Sequence, residues 1–265
     1  MLTNRTSTLS LLLGAIFFFL TAGALVAQDE EKEVYLGVKA GLSLPNLVGG
    51  SEQEITRDYK SRLAFSVGAI AEFQVSKGFS FQTGVDYAPQ GGKREGIQPI
   101  TSPLPGLPPL PQGAYYYADF KNTAKLDYVE IPFLAKYTWR RQSKIQPYLN
   151  AGPYVGFLVK ATTVTEGSST IYIDRNGTPL PIPPTNQPLP PIPFDAETDV
   201  TDELNRFNFG IAGGGGLKFK VKRDYFFVDV RGSYGLTTIQ KDTVNNGNSR
   251  TGNLVISVGY AFRVK

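Results

Sequence analysis

The chain has 265 residues, a formal charge of +4, and neither cysteine nor histidine. That composition excludes disulfides, thiolate metal sites and a histidine general base. The scattered Lys and Arg form no stripe of the kind that holds nucleic acid.

Arg5 precedes the apolar run SLLLGAIFFFLTAGALVAQ, which passes into small residues and then the acidic DEEKE. Basic, apolar, small is the order of a secretory signal peptide. The reading is a signal peptide over residues 1–27, cut after Ala27, then a periplasmic stub over 28–33 and one domain over 34–265. A cut after Ala24, or retention of the run as a membrane anchor, are the alternatives. No cysteine follows the run, so lipoprotein anchoring is excluded.

Eight alternating runs follow, and none has a helical period. They are VYLGVKAGL (34–42), RLAFSVGAIAEFQ (62–74), GFSFQTGVDYAPQ (78–90) and KLDYVEIPFLAKYTW (125–139). The second four are IQPYLNAGPYVGFLVKA (145–161), NRFNFGIAGGGGLKFKV (205–221), DYFFVDVRGSYGLTTI (224–239) and NLVISVGYAFRV (253–264). The joints VSK, RRQSK and KR are short, whereas 43–61, 91–124, 162–204 and 240–252 are long. Antiparallel neighbours put all short turns at one end and all long loops at the other. The expectation is an all-β, eight-stranded antiparallel up-and-down transmembrane barrel with short periplasmic turns and long extracellular loops, in the outer membrane.

One parity of each run is apolar, as in Leu36, Val38, Phe65, Val67, Phe207, Phe209, Ile256 and Val258. The other carries Lys39, Glu72, Asp86, Glu130, Lys136, Lys218, Asp229 and Arg231. A barrel of this size has room inside only for side chains, so the charges are expected to fill the lumen as a paired network. Lys218 with Asp229, and Lys39 with Glu72, are the expected neighbours. Trp139, Tyr137, Phe79, Phe219 and Phe226 near the short turns, and Tyr87, Phe157, Phe207 and Tyr234 near the loops, suit two interfacial girdles. Pro132 and Pro153 each remove a ladder donor and should bring a bulge or irregular pairing. Glycines 213–216 lack the GK[ST] of a phosphate loop and fit sheet packing better.

Segments 99–113 and 178–194 hold fourteen of the nineteen prolines. Such chain favours extended polyproline II and is expected to stay out of sheet ladders. It reads as a stiff exposed spacer, or as a docking segment for a protein partner with an aromatic groove. Asp195, Glu197, Asp199, Asp202 and Glu203 form an acidic run, read as solvated charge or as weak oxygen ligands for Ca²⁺. No catalytic, cofactor or metal site is expected.

Residues 126–161 carry a family resemblance. The run LDYVEIPFLAKY, with Tyr128, Glu130, Ile131, Pro132, Lys136 and Tyr137, followed by PYLNAGPYVGFLVKA, resembles the small outer-membrane β-barrel proteins of the Bacteroidetes, the PorT-like or porin-family group. Ser257, Gly259, Phe262 and Val264 resemble the C-terminal signal read by the barrel insertion machinery. The resemblance implies a fold and a location, with outer-membrane lipid and the insertion machinery as partners, and no uniform activity. A non-enzymatic structural or surface-interaction role is the first expectation. A subunit of an outer-membrane transport or protein-secretion system is the alternative.

Overall fold

The computed structural model describes residues 33–50, 54–101, 103–111, 113–182, 184 and 186–265. The segments expected to be a signal peptide (1–27) and a periplasmic stub (28–33) lie outside the described residues, residue 33 excepted. Eight long strands form the wall: β1 (Val34–Ser43), β2 (Ala64–Gln74), β3 (Phe79–Pro99), β4 (Tyr117–Thr138), β5 (Ile145–Glu166), β6 (Phe207–Val221), β7 (Asp224–Gly235) and β8 (Arg250–Arg263). Each pairs antiparallel with the next, and β8 returns to β1, from Tyr35 with Arg263 to Ser43 with Val255. The sheet therefore has no free end within the wall.

The register fixes how far the strands lean. Starting at Val34, the pairing leads through Phe73, Phe81, Ala135, Ala151, Gly213 and Gly232 to Leu254. The carbonyl of Leu254 then accepts from the amide of Leu44, ten residues beyond the start. Such a stagger tilts the strands by roughly 40° to the barrel axis.

Burial settles which parity faces outward. Val38 is 63% exposed and Phe65 73%, whereas Lys136 is 2%, Glu72 3% and Asp229 2% exposed. The apolar parity looks away from the protein's centre, where only hydrocarbon suits it. On β4 the outward residues are Asp119, Lys121, Lys125 and Asp127, and then Val129, Ile131, Phe133, Ala135 and Tyr137, with Trp139 just beyond. From Val129 to Trp139, at about 3.3 Å per residue and ~40° of tilt, the apolar stretch rises roughly 25 Å, the height of an outer-membrane apolar band. Tyrosines anchor its edges: Tyr87 donates to Asp127 at 2.6 Å and Tyr260 to Asp224 at 2.7 Å. Edge-on ring pairs Tyr137–Trp139 and Phe157–Phe207 lie near opposite ends of the band.

Several boundaries differ from the sequence expectation. β3, β4 and β5 run on to Pro99, from Tyr117 and to Glu166, so much of 91–124 and the start of 162–204 are sheet, standing above the bilayer. The long loops proper are shorter than expected, and Ala196–Asp199 adds a strand to β5. The seventh run ends at Gly235, and β8 begins at Arg250, where Asn46–Val48 pairs with it. Prolines do enter small ladders, Pro181–Ile182 with Gln187–Pro188 and Ile192–Pro193 with Ser168–Ser169. Two-residue ladders of this kind leave proline's missing donor on the unpaired side. The register shift falls at Asp127/Tyr128, while pairing lapses beside Pro132 and opposite Pro153.

The glycine run is explained by its neighbours. A Cβ on inward Gly216 would stand 2.7 Å from the Tyr148 hydroxyl and 2.0 Å from the Val228 carbonyl oxygen. On outward Gly213 the nearest atom would be 3.6 Å away. Gly216→Ala should therefore cost about 1–3 kcal/mol by overpacking, with Gly213→Ala near neutral, as read from denaturant unfolding in detergent micelles.

Candidate functional site

The inner half of the lumen is a charge cluster centred on Glu72 of β2. One carboxylate oxygen accepts from Lys218 of β6 at 2.6 Å and Ser80 of β3 at 2.8 Å. The other accepts from Lys136 of β4 at 3.0 Å and Tyr225 of β7 at 2.8 Å. Lys136 also donates to Gln82 at 2.8 Å and lies 3.9 Å from the centre of the Tyr148 ring. Two ammonium groups on one carboxylate leave a positive excess, and these aromatic faces offset part of it.

A second cluster lies towards the loops. Lys39 of β1 meets Asp86 of β3 at 2.7 Å, and Arg231 of β7 reaches Asp86 at 4.0 Å and Asp229 at 3.2 Å. Tyr148 donates to Asp229 at 2.7 Å, so one side chain touches both clusters. Glu130 accepts from Gln90 at 2.9 Å and has no cation within 4 Å among the described residues. The space among Lys39, Asp86, Glu130 and Arg231 is about 40 Å³, enough for about one or two waters.

All eight charged residues singled out from the sequence are inside the ring, but the two expected pairs do not form. Lys218 stands opposite Phe227 and Asp229 opposite Gly216, a diagonal offset; Lys39 stands opposite Gly68 and Glu72 opposite Tyr35. The stagger of the barrel instead brings Glu72 across the lumen to Lys136 and Lys218. Of the resemblance motif, Tyr128, Glu130, Pro132 and Lys136 point inward, while Ile131 and Tyr137 lie on the lipid side. In β8, Ser257 and Gly259 are buried, Gly259 under the Phe227 ring, and Phe262 is exposed, as is Val264 just beyond the strand.

Above the charges, the lumen is closed by an apolar plug. Tyr128, Leu126, Ala124, Leu158 and Ala161 supply the wall side, and Leu47, Leu204 and Ile239 enter from three different loops. Ile239 is expected from the sequence as the end of the seventh strand, whereas Leu47 and Leu204 carry no expectation. A short aliphatic pair between turn signals, as Leu47 and Val48 are within SLPNLVGG, was the available clue.

Over the plug the loops are tied into a cap. Arg94 of β3 is buried; its guanidinium donates to the carbonyls of Glu54, Ile55 and Arg57 and to Gln98, and it lies 5.2 Å from the Tyr59 ring. Burial pushes that guanidinium down from its ordinary value and the Tyr59 phenol up. Arg175 of the third loop forms ion pairs with Glu54 and Asp58 of the first. The two proline-rich segments pack on Phe120 and Ile171 through Leu104, Leu107, Leu180, Leu189, Ile192 and Phe194. Pro99 is buried at the top of β3, whereas Pro103, Pro105, Pro108, Pro109, Pro190 and Pro191 stay exposed. The segments are thus a packed tip, not free spacers.

The acidic run 195–203 is spread along the added strand and the turn after it. No group of three or more His, Cys, Asp or Glu among the described residues is placed to hold a metal ion. At the short-turn end a vestibule of about 480 Å³ opens onto Glu72, Lys218 and Tyr225, with Trp139, Arg140 and Arg141 at its rim.

The Glu72 cluster makes an unequal prediction. Glu72→Gln leaves two buried lysines without a carboxylate and should cost about 3–5 kcal/mol. Lys136→Met leaves one lysine on one carboxylate and should cost clearly less, both measured by denaturant unfolding in micelles.

A family model described as outer membrane protein beta-barrel domain matches residues 26–241. Among solved structures, Neisserial surface protein A (NspA) aligns at 14% identity and a TM-score of 0.37, over 84% of this chain and 95% of that one. Ail, the attachment invasion locus protein of Yersinia pestis, in complex with the heparin analogue sucrose octasulfate, aligns at 13% and 0.35, over 87% and 99%. The N-terminal β-barrel domain of Pseudomonas aeruginosa OprF aligns at 10% and 0.36, over 88% and 100%. No curated protein matches the chain. With a closed eight-strand ring, an apolar exterior and a family model spanning most of its length, the chain belongs to the outer-membrane β-barrel domain family and resides in the outer membrane.

Proposed function

We propose that the chain is a non-conducting, non-enzymatic barrel whose function lies in its external cap. The observation that carries this reading is the doubly closed lumen: a paired charge cluster below and the Tyr128–Leu204–Ile239 plug above. Space for about one or two waters is not a path for a solute. The cap, in contrast, is cross-braced, and bracing lowers the ordering cost of binding a partner.

The tip suggests the kind of partner. Between Pro99 and Ala118, and again between Asn176 and Phe194, the sequence has no charged residue. Aliphatic side chains hold these segments down and leave prolyl rings outward, so a braced ridge folded by turns faces the medium. Such a ridge suits a protein with an aromatic-lined groove, since a preformed proline-rich surface loses little entropy on docking. The finer, PorT-like placement supports a second reading as a subunit of an export or transport system. Its motivation is that Tyr128, Glu130 and Lys136 of the motif lie in the lumen rather than in the cap.

In planar bilayers the purified protein should give no large, stable unitary currents; their appearance sinks the sealed-lumen reading. Deleting the gene should leave secreted proteins untouched, whereas their retention in the periplasm favours the second. Glu54→Ala, which removes one of the two carboxylates that hold Arg175, should make the external loops several-fold more sensitive to protease, with the heat-modifiable gel shift of the barrel unchanged.

A further inference from the structure

The two ends of the barrel carry very different charge. At the short-turn end, among the described residues, nine side chains are basic: Lys77, Arg140, Arg141, Lys144, Lys220, Lys222, Arg223, Arg263 and Lys265. Among the described residues only Glu33 and Asp224 oppose them, and both are already engaged. Glu33 accepts from Arg141, Arg263 and Tyr35. Asp224 accepts from the Tyr260 hydroxyl and the Arg263 amide. Seven of the cations, Lys77, Arg140, Lys144, Lys220, Lys222, Arg223 and Lys265, are exposed and have no carboxylate within 4 Å among the described residues. At the loop end, cations and carboxylates are interleaved and several pair, as in Arg175 with Glu54 and Asp58, Lys121 with Glu166, and Arg206 with Asp202.

The unpaired cations sit just below a lipid-facing aromatic belt. Phe79 packs on Tyr137, Tyr137 on Trp139, and Phe219 on Phe226, and the turns bearing the cations begin within a few residues of these rings. Long basic side chains beside such a belt extend their charge to the headgroup layer. We infer that this collar recruits anionic phospholipid headgroups from the inner leaflet, so that the barrel carries its own annulus of acidic lipid at the periplasmic face. A basic cluster of this size at a membrane surface selects anionic over zwitterionic lipid by charge alone, with no shaped pocket.

Trp139 is the single tryptophan of the chain and lies at this rim. The full protein is reconstituted in equimolar phosphatidylglycerol and phosphatidylcholine, with bromine near the carboxyl end of the acyl chains of one lipid or the other. Brominated phosphatidylglycerol should quench Trp139 as if it were enriched about threefold at the rim, and 0.5 M salt should abolish the excess, as expected for attraction by screened charges. The variant Lys77→Gln, Lys144→Gln, Lys222→Gln, Arg223→Gln should lose the preference while keeping its heat-modifiable migration. Equal quenching by both lipids in the wild-type protein overturns the proposal, as does a preference that survives in the variant. So does abolition of the preference by millimolar inorganic phosphate at constant ionic strength, which would assign the cations to a soluble anion in the vestibule. A preference that emerges only after Asp29, Glu30 and Glu31 are replaced by Asn and Gln also overturns it, since the collar would then belong to the chain's own acidic stretch.

Discussion

Hydrocarbon supplies no hydrogen bonds, and every other feature of this protein follows from that deficit. A strand placed in lipid must find a neighbour for each amide and carbonyl on both sides, so β1 has to meet β8. Closure then decides where side chains go. One parity is condemned to lipid and is apolar; the other is confined to a space too narrow for bulk water. Charges in that space have no dielectric to hide in, and each must be met by another group.

The two halves of the lumen meet this demand differently. Near the short turns, Glu72 gathers four donors from β3, β4, β6 and β7, which makes it a cross-brace between walls that share no ladder. Nearer the loops the wall turns small and apolar, and loop residues complete the packing as in a soluble core. The barrel thus changes from an ionic interior to a hydrophobic one along its axis. That change coincides with the outward switch on β4 from Val129 to Asp127, where the exterior leaves lipid and the interior meets the cap.

The alternation in Val129, Ile131, Phe133, Ala135 and Tyr137 made the strands, their parity and their number legible, because it is local and the membrane enforces it over many residues. Inward placement of Lys39, Glu72 and the other charges followed from the same parity. Their partners did not. Which carboxylate faces which lysine depends on a ten-residue stagger that accumulates over eight joints, and no single hairpin encodes it. The upper reaches of β3 were also illegible, since Pro89, Gly91 and Gly92 break the alternation although the ladder to β4 continues past them. Leu47 and Leu204 have no periodic neighbours and Ile239 ends an alternating run, so nothing local marks them as a plug. The proline-rich stretches were recognisable as stiff, but their burial of leucines depends on Phe120 and Ile171, distant in the chain.

The seam between β1 and β8 joins the first strand to be made to the last. Until Arg250–Arg263 is in place, β1 and β7 each present a naked edge, and a shortened chain is a sticky ribbon ready to pair with any strand it meets. Closure of this protein is therefore all-or-nothing in a geometric sense: no shorter subset of its strands leaves the ribbon without ends.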